Sequence, residues 1–123
     1  MLAGPINSGA AVGADGAATA TGESLHPIEG LVYAVQIKYN ETPPAGTTVV
    51  TVKTRGTNAP SMTILTITNA ATNGMWLPRL VSNTAAGVAQ TAYDAPFAID
   101  DIVQVVIAGA NAGDNVDVYL HML

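Results

Sequence analysis

The side chains of this chain that could do chemistry are two histidines, a few aspartate pairs and one tryptophan. His26 stands directly before Pro27, and His121 lies near the chain end, on the same strand face as Asp117 and Tyr119. A metal site or an acid–base pair needs convergent partners, and the sequence places none at a suitable spacing from either histidine. We therefore interpret both histidines as structural.

Two pairs of aspartates lie near the starts of segments with strand character: Asp100 with Asp101, and Asp114 with Asp117. Oxygen-rich loops of this kind can hold calcium. Asp114 and Asn115 in a glycine-rich segment also have the ordinary chemistry of a turn, because their side chains bond nearby backbone groups and tolerate left-handed angles. The turn is the favoured interpretation, and a calcium site is the alternative.

Trp76 is the only tryptophan of the chain and stands in the segment Gly74–Arg79. A tryptophan near an arginine could stack on a sugar or anchor an interface. A single tryptophan in a small β domain more often fills the core or its edge. We favour the core-edge position for Trp76.

Sequence signatures of enzymes are absent. The chain has no cysteine and no G-x-S-x-G segment, and its glycine-rich start lacks the lysine of a phosphate-binding loop. We therefore expect a protein that is not an enzyme, without catalytic residues, cofactor or metal.

Charge is sparse, since only 11% of the residues are charged and the formal net charge is −5. A typical globular domain has about 25% charged residues. A surface this poor in charge suits contact with other proteins and suggests an assembly subunit, although a solvated Thr/Asn-rich surface is the alternative. The four basic residues are scattered, which argues against a nucleic-acid partner. No run of eighteen apolar residues occurs, so no membrane partner is expected.

The elements that must position these residues have the pattern of short β-strands. Along Leu31–Tyr39 the alternation predicts Tyr33, Val35, Ile37 and Tyr39 on one face. Further strands are predicted at Thr47–Thr54, Met62–Thr68, Met75–Val81, Tyr93–Phe97, Asp101–Ala108 and Val116–Met122. Turn signals recur about every ten residues, among them the Pro/Gly segment Glu41–Gly46 and Asn69–Gly74. This spacing predicts an all-β antiparallel sandwich, jelly-roll-like as first choice and an immunoglobulin-like Greek key as second.

The first 24 residues differ from the rest because Gly, Ala, Thr and Ser dominate them without an apolar period. Such a segment cannot offset its own ordering entropy by burial. The sequence therefore predicts an extended arm at 1–24, held by its own domain or by a neighbouring subunit, and a sandwich domain at 25–123. A disordered terminus is the alternative.

The segments Tyr33–Tyr39, Pro43–Gly46 and Asp114–Leu120, together with the Ala/Gly/Thr-rich start, resemble capsid decoration (cement) proteins of tailed bacteriophages. The resemblance implies a homotrimer on the capsid exterior, made in the host cytoplasm, that binds the major capsid protein lattice and stabilises the head. It brings no catalytic residues with it. The alternative is a carbohydrate- or receptor-binding jelly-roll module of a phage fibre or tail, which predicts exposed aromatic side chains on one face.

Overall fold

The computed structural model describes residues 1–40, 45–69 and 72–123, and this part of the chain folds into eleven strands. Parts of the predicted turns at 41–46 and 69–74 therefore lie outside the described residues. The strands are β1 (Leu2–Asn7), β2 (Ala18–Glu23), β3 (Ile28–Tyr39), β4 (Val49–Thr54), β5 (Thr63–Thr68), β6 (Gly74–Trp76), β7 (Leu80–Asn83), β8 (Ala89–Ala95), β9 (Phe97–Asp101), β10 (Val103–Ala110) and β11 (Val116–Met122).

The strands form two sheets and one separate hairpin, and every pairing is antiparallel. The five-stranded sheet has the order β1-β11-β3-β6, with β9 also paired to β3. The four-stranded sheet has the order β2-β10-β4-β5, and β7 pairs with β8. The fold is thus the predicted all-β, jelly-roll-like antiparallel sandwich. Over the residues that the structure describes, no helix is long and apolar enough to cross a membrane.

The core lies between the two sheets and consists mainly of β-branched side chains. Alternation places Val103, Val105 and Ile107 of β10 in the core. In β4, Val50 and Val52 are fully buried. Four residues of β11 face inward in the same alternating pattern: Val116, Val118, Leu120 and Met122.

Tyr33 does not lie on the same face as Val35, Ile37 and Tyr39, contrary to what the alternation predicts. The ladder between β3 and β11 shifts register, so that Tyr33 and Ala34 together lie opposite His121. The extra residue of such a β-bulge reverses the alternation. Beyond the bulge the inward position is therefore held by Val32, which lies opposite Met122 in the core, and Tyr33 is 43% exposed on the outer face.

The segment 1–24 pairs with both sheets of its own chain, which is the first of the two ways in which an extended arm was expected to be held. Its first strand pairs with β11, and its second pairs with β10. Ladder hydrogen bonds do not require large apolar side chains, and small residues such as Ala11 and Ala18 are buried where the strands meet. Strand pairing therefore joins β1 and β2 to the two sheets of the sandwich.

Two predicted strands are divided at prolines. The segment Met75–Val81 is interrupted around Pro78, because β6 ends at Trp76 and β7 begins at Leu80. Pro96 likewise separates β8 from β9 within the predicted strand Tyr93–Phe97. Proline has no N–H to donate to a ladder, so these breaks follow from the sequence.

Candidate functional site

The outer face of the five-stranded sheet carries a group of side chains with mixed chemistry. The alternation that buries Val118 and Leu120 turns the other residues of β11 outward, and two residues of β3 and one of β1 lie beside them. We call this group the polar face; its members are Asn7, Gln36, Lys38, Asp117, Tyr119 and His121.

Register places the members of the polar face in cross-strand rows. Asp117 lies opposite Asn7 on one side and Lys38 on the other. Tyr119 lies opposite Gln36 in the next row of the ladder. Directly opposite residues of antiparallel strands have Cβ atoms about 5 Å apart, so these side chains are immediate neighbours.

Hydrogen bonds fix several of these side chains before any ligand arrives. Asn7 Nδ2 donates to Asp117 Oδ1 at 2.8 Å and to Asn115 Oδ1 at 3.1 Å. His121 Nε2 and Gln36 Oε1 form a hydrogen bond of 3.2 Å. The phenol ring of Tyr119 is partly exposed between these polar groups. The polar face can therefore offer one ring for stacking and several donors and acceptors for hydroxyl groups.

The predicted structural histidines lie in two different surroundings. His121 belongs to the polar face, whereas His26 is exposed and lines a cleft of about 480 Å³ between β1 and the connection from β2 to β3. In the described ranges, no three His, Asp or Glu side chains come together in a way that could hold a metal ion.

Asp101 anchors a loop. Its Oδ2 accepts the N–H groups of Gly56, Thr57 and Asn58 at 3.0, 2.8 and 3.3 Å, and its Oδ1 accepts that of Ile102 at 2.7 Å. Burial raises the pKa of this carboxyl, but the four N–H donors lower the pKa by a larger amount. The net effect is a pKa below the ordinary carboxyl value of 3.8. The role of Asp101 is thus to hold the loop that follows β4.

Asp114 closes a turn, in agreement with the favoured interpretation. Its N–H donates to the carbonyl of Asn111 at 3.1 Å, and its own carbonyl accepts the N–H of Ala11 at 2.8 Å. The residue is buried, and its Oδ2 has no hydrogen-bond partner within the described part of the chain. These backbone bonds tie the turn before β11 to the N-terminal segment.

Trp76 lies at the edge of the core, as predicted. It stands opposite Val35 in the ladder between β6 and β3, and its side chain packs against the core cluster. Its indole ring also covers Gly74, where an added Cβ would lie 3.0 Å from the ring. Trp76 therefore supports the sheet from its margin.

No protein-family model matches this chain. No curated protein matches it either.

Solved structures of similar fold include carbohydrate-binding modules. One, of family 29, is 12% identical over 87% of this chain and 64% of its own length, with a TM-score of 0.42. A low-affinity xylan-binding module, CBM86, from Roseburia intestinalis is 11% identical over 91% and 75% of the two chains, with a TM-score of 0.45.

A third, the module CBM32-4 of a Clostridium perfringens protein, solved with a GlcNAc-α-1,4-galactose ligand, is 10% identical. It covers 84% of this chain and 66% of its own, with a TM-score of 0.40. The chain spans slightly less than two thirds of the first and third of these proteins.

Proposed function

We propose that this chain is a non-catalytic binding module that holds a carbohydrate on its polar face. The observation that carries the proposal is the position of Tyr119, whose partly exposed ring lies opposite Gln36 in the sheet. A pyranose ring presents apolar C–H groups on its faces and hydroxyl groups at its rim. The Tyr119 ring can stack on the C–H groups, and neighbouring amide and carboxylate groups can form hydrogen bonds with the hydroxyl groups.

Hydrogen bonds that already hold side chains of the polar face in place support the proposed carbohydrate site. Asp117 is already bonded to Asn7, and Gln36 to His121, so a ligand would order few side chains on binding. The face also carries one carboxylate and one ammonium group in the same row, Asp117 and Lys38, which suits a neutral ligand better than a charged one. Because the face is open rather than enclosed, we expect a Kd between about 10 μM and 1 mM.

The test begins with a glycan array, followed by titration calorimetry of the saccharide that binds. Tyr119→Ala is expected to weaken binding about tenfold or more, because it removes the stacking surface. Tyr93→Ala is the matched control, since Tyr93 is exposed on the separate hairpin. Equal affinity of the native chain and Tyr119→Ala, or no saccharide bound at all, would contradict the proposal.

A structural subunit of a phage head is the second candidate function. The observation that favours it is the outer face of the four-stranded sheet, where Thr21, Val106, Thr51 and Thr66 form one uncharged cross-strand row. The charged residues of this face, Glu23 and Lys53, lie in the neighbouring row beside Gln104. Docking the uncharged row on a protein partner therefore desolvates no charge within the row, which suits a decoration protein on a major capsid protein lattice.

The second candidate is tested by capsid occupancy. The chain is mixed with heads assembled from the major capsid protein encoded in the same genome, and bound protein is measured after sedimentation. Thr66→Lys places a charge in the uncharged row and should reduce occupancy, while Tyr119→Ala should leave it unchanged. Occupancy that does not respond to Thr66→Lys, or absence of binding, would contradict this candidate.

A further inference from the structure

The hairpin formed by β7 and β8, residues 80–95, pairs only with itself in the part of the chain that the structure describes. Its ladder joins Leu80 to Ala95, Val81 to Tyr93 and Asn83 to Ala89. The two strands meet in a turn in which Thr84 and Val88 are bonded through their backbones. A two-stranded hairpin by itself is at best marginally stable in water, so this element is expected to gain support from a further contact.

The hairpin exposes to solvent apolar side chains that a domain without a binding partner would normally bury. Tyr93 is 72% exposed and Val88 is 61% exposed, and Leu80 is also accessible. The hairpin carries a single charged group, Asp94, whose carboxylate is hydrogen-bonded to Ser82. No basic side chain lies within ion-pair distance of Asp94 among residues 1–40, 45–69 and 72–123.

A second apolar surface with the opposite charge lies on the same chain. It consists of four exposed apolar residues and one half-buried arginine of β3, β6 and the connection from β6 to β7, which we call the acceptor patch: Leu31, Tyr33, Met75, Leu77 and Arg79. The Arg79 guanidinium stands 5.3 Å from the centre of the Tyr33 ring and donates to the carbonyls of Tyr33 and Pro78. Within the described residues it has no carboxylate partner.

We propose that the hairpin of one copy docks on the acceptor patch of a second copy, with Asp94 pairing with Arg79 across the contact. Both surfaces are apolar, each carries one charge, and the two charges are opposite. The surfaces differ, so the contact is head-to-tail and its repetition closes into a ring when the rotation permits. The acceptor patch borders the polar face, because Met75 lies opposite Gln36 in the ladder between β6 and β3. The two charged residues of the contact, Asp94 and Arg79, are not members of the polar face.

Variants that reverse the charges of Arg79 and Asp94 test the proposal. The mass in solution of the purified full chain is measured by sedimentation velocity over a wide range of protein concentrations. Arg79→Glu and Asp94→Arg should each weaken self-association about tenfold or more, because each places like charges across the contact. The double variant Arg79→Glu/Asp94→Arg should restore association, since it re-creates an opposite pair.

Two further variants separate the contact from general effects. Lys53→Glu makes the same change of charge on the other sheet and should leave association unchanged. Tyr93→Ser removes the largest exposed apolar group of the hairpin and should weaken association without altering the melting temperature. A native chain that stays monomeric at every concentration would overturn the proposal, and so would single variants that associate normally or a double variant that fails to recover.

Discussion

Gly22 of β2 lies directly against the backbone of Asn7 in β1. A Cβ added at position 22 would stand 1.8 Å from the carbonyl oxygen of Asn7. The strands that contain these residues are the edge strands of the two different sheets. The contact therefore closes the sandwich at this edge, and only the absence of a side chain at position 22 allows the approach.

Gly22→Ala should destabilise the fold by about 3 kcal/mol, because the methyl group meets backbone atoms that cannot move aside without separating the sheets. Urea denaturation followed by tryptophan fluorescence gives the change in midpoint. The matched control is Gly46→Ala, since an added Cβ at Gly46 meets no atom of the described residues within 4 Å. Equal urea midpoints for Gly22→Ala and Gly46→Ala would show that a methyl group fits between Gly22 and the backbone of Asn7, which would contradict the close contact.

Asp101→Asn should lower the melting temperature by roughly 5 °C or more, because one carboxylate there accepts four backbone N–H groups and an amide cannot replace it. Asp100→Asn is the control, since Asp100 is exposed and its carboxylate accepts no hydrogen bond from the residues that the structure describes. Thermal unfolding by circular dichroism at neutral pH measures both variants. The same melting temperature for both would contradict the anchoring role of Asp101.

The carboxylate of Asp101 also makes the stability of the fold depend on pH. Its pKa in the folded chain lies below 3.8, so its contribution is present above that pH and is lost as the pH falls through the folded value. The native chain should therefore lose its stability advantage over Asp101→Asn below about pH 4. An advantage that persists unchanged in acid would assign the stabilisation to something other than the ionised carboxylate.

Tyr39→Phe should leave stability unchanged or raise it by up to about 1 kcal/mol at neutral pH, because the buried hydroxyl has no hydrogen-bond partner within the described residues. Burial raises the pKa of Tyr39 from 10.0 to about 12. Tyr39 therefore ionises at a lower pH in the unfolded chain than in the folded one, so the stability of the fold does not depend on this ionisation below pH 10 and falls as the pH rises from 10 towards 12. Tyr39→Phe should resist alkaline unfolding better than the native chain, and greater sensitivity would contradict the buried position.

Local alternation explains which parts of the fold could be predicted from the sequence. Val116, Val118 and Leu120 follow the two-residue period of a strand, and the face that they share follows from the pattern of that strand alone. Tyr33 follows the same period but faces outward, because the bulge opposite His121 depends on the register with another strand. A single sequence carries no signal for that register.

The N-terminal segment and the polar face also depend on contacts between strands that are distant in the sequence, which a single sequence does not reveal. Small residues such as Ala18 and Gly22 have no apolar period, yet backbone pairing and close approach fix them in the sandwich. The outward direction of Asp117 and Tyr119 was predictable from alternation along their strand. Their proximity to Asn7 and Gln36 was not, because it depends on the order of strands in the sheet.

Nuclear magnetic resonance titration of the isotope-labelled chain with the saccharide selected on the array tests the carbohydrate site most directly. Saturable shifts are predicted for the amide and side-chain signals of the polar face, centred on Gln36 and Tyr119, and they should be lost in Tyr119→Ala. Signals of the hairpin and of the four-stranded sheet should stay in place. Saturable shifts confined to the hairpin, to the cleft beside His26 or to the threonine row would contradict the carbohydrate site on the polar face.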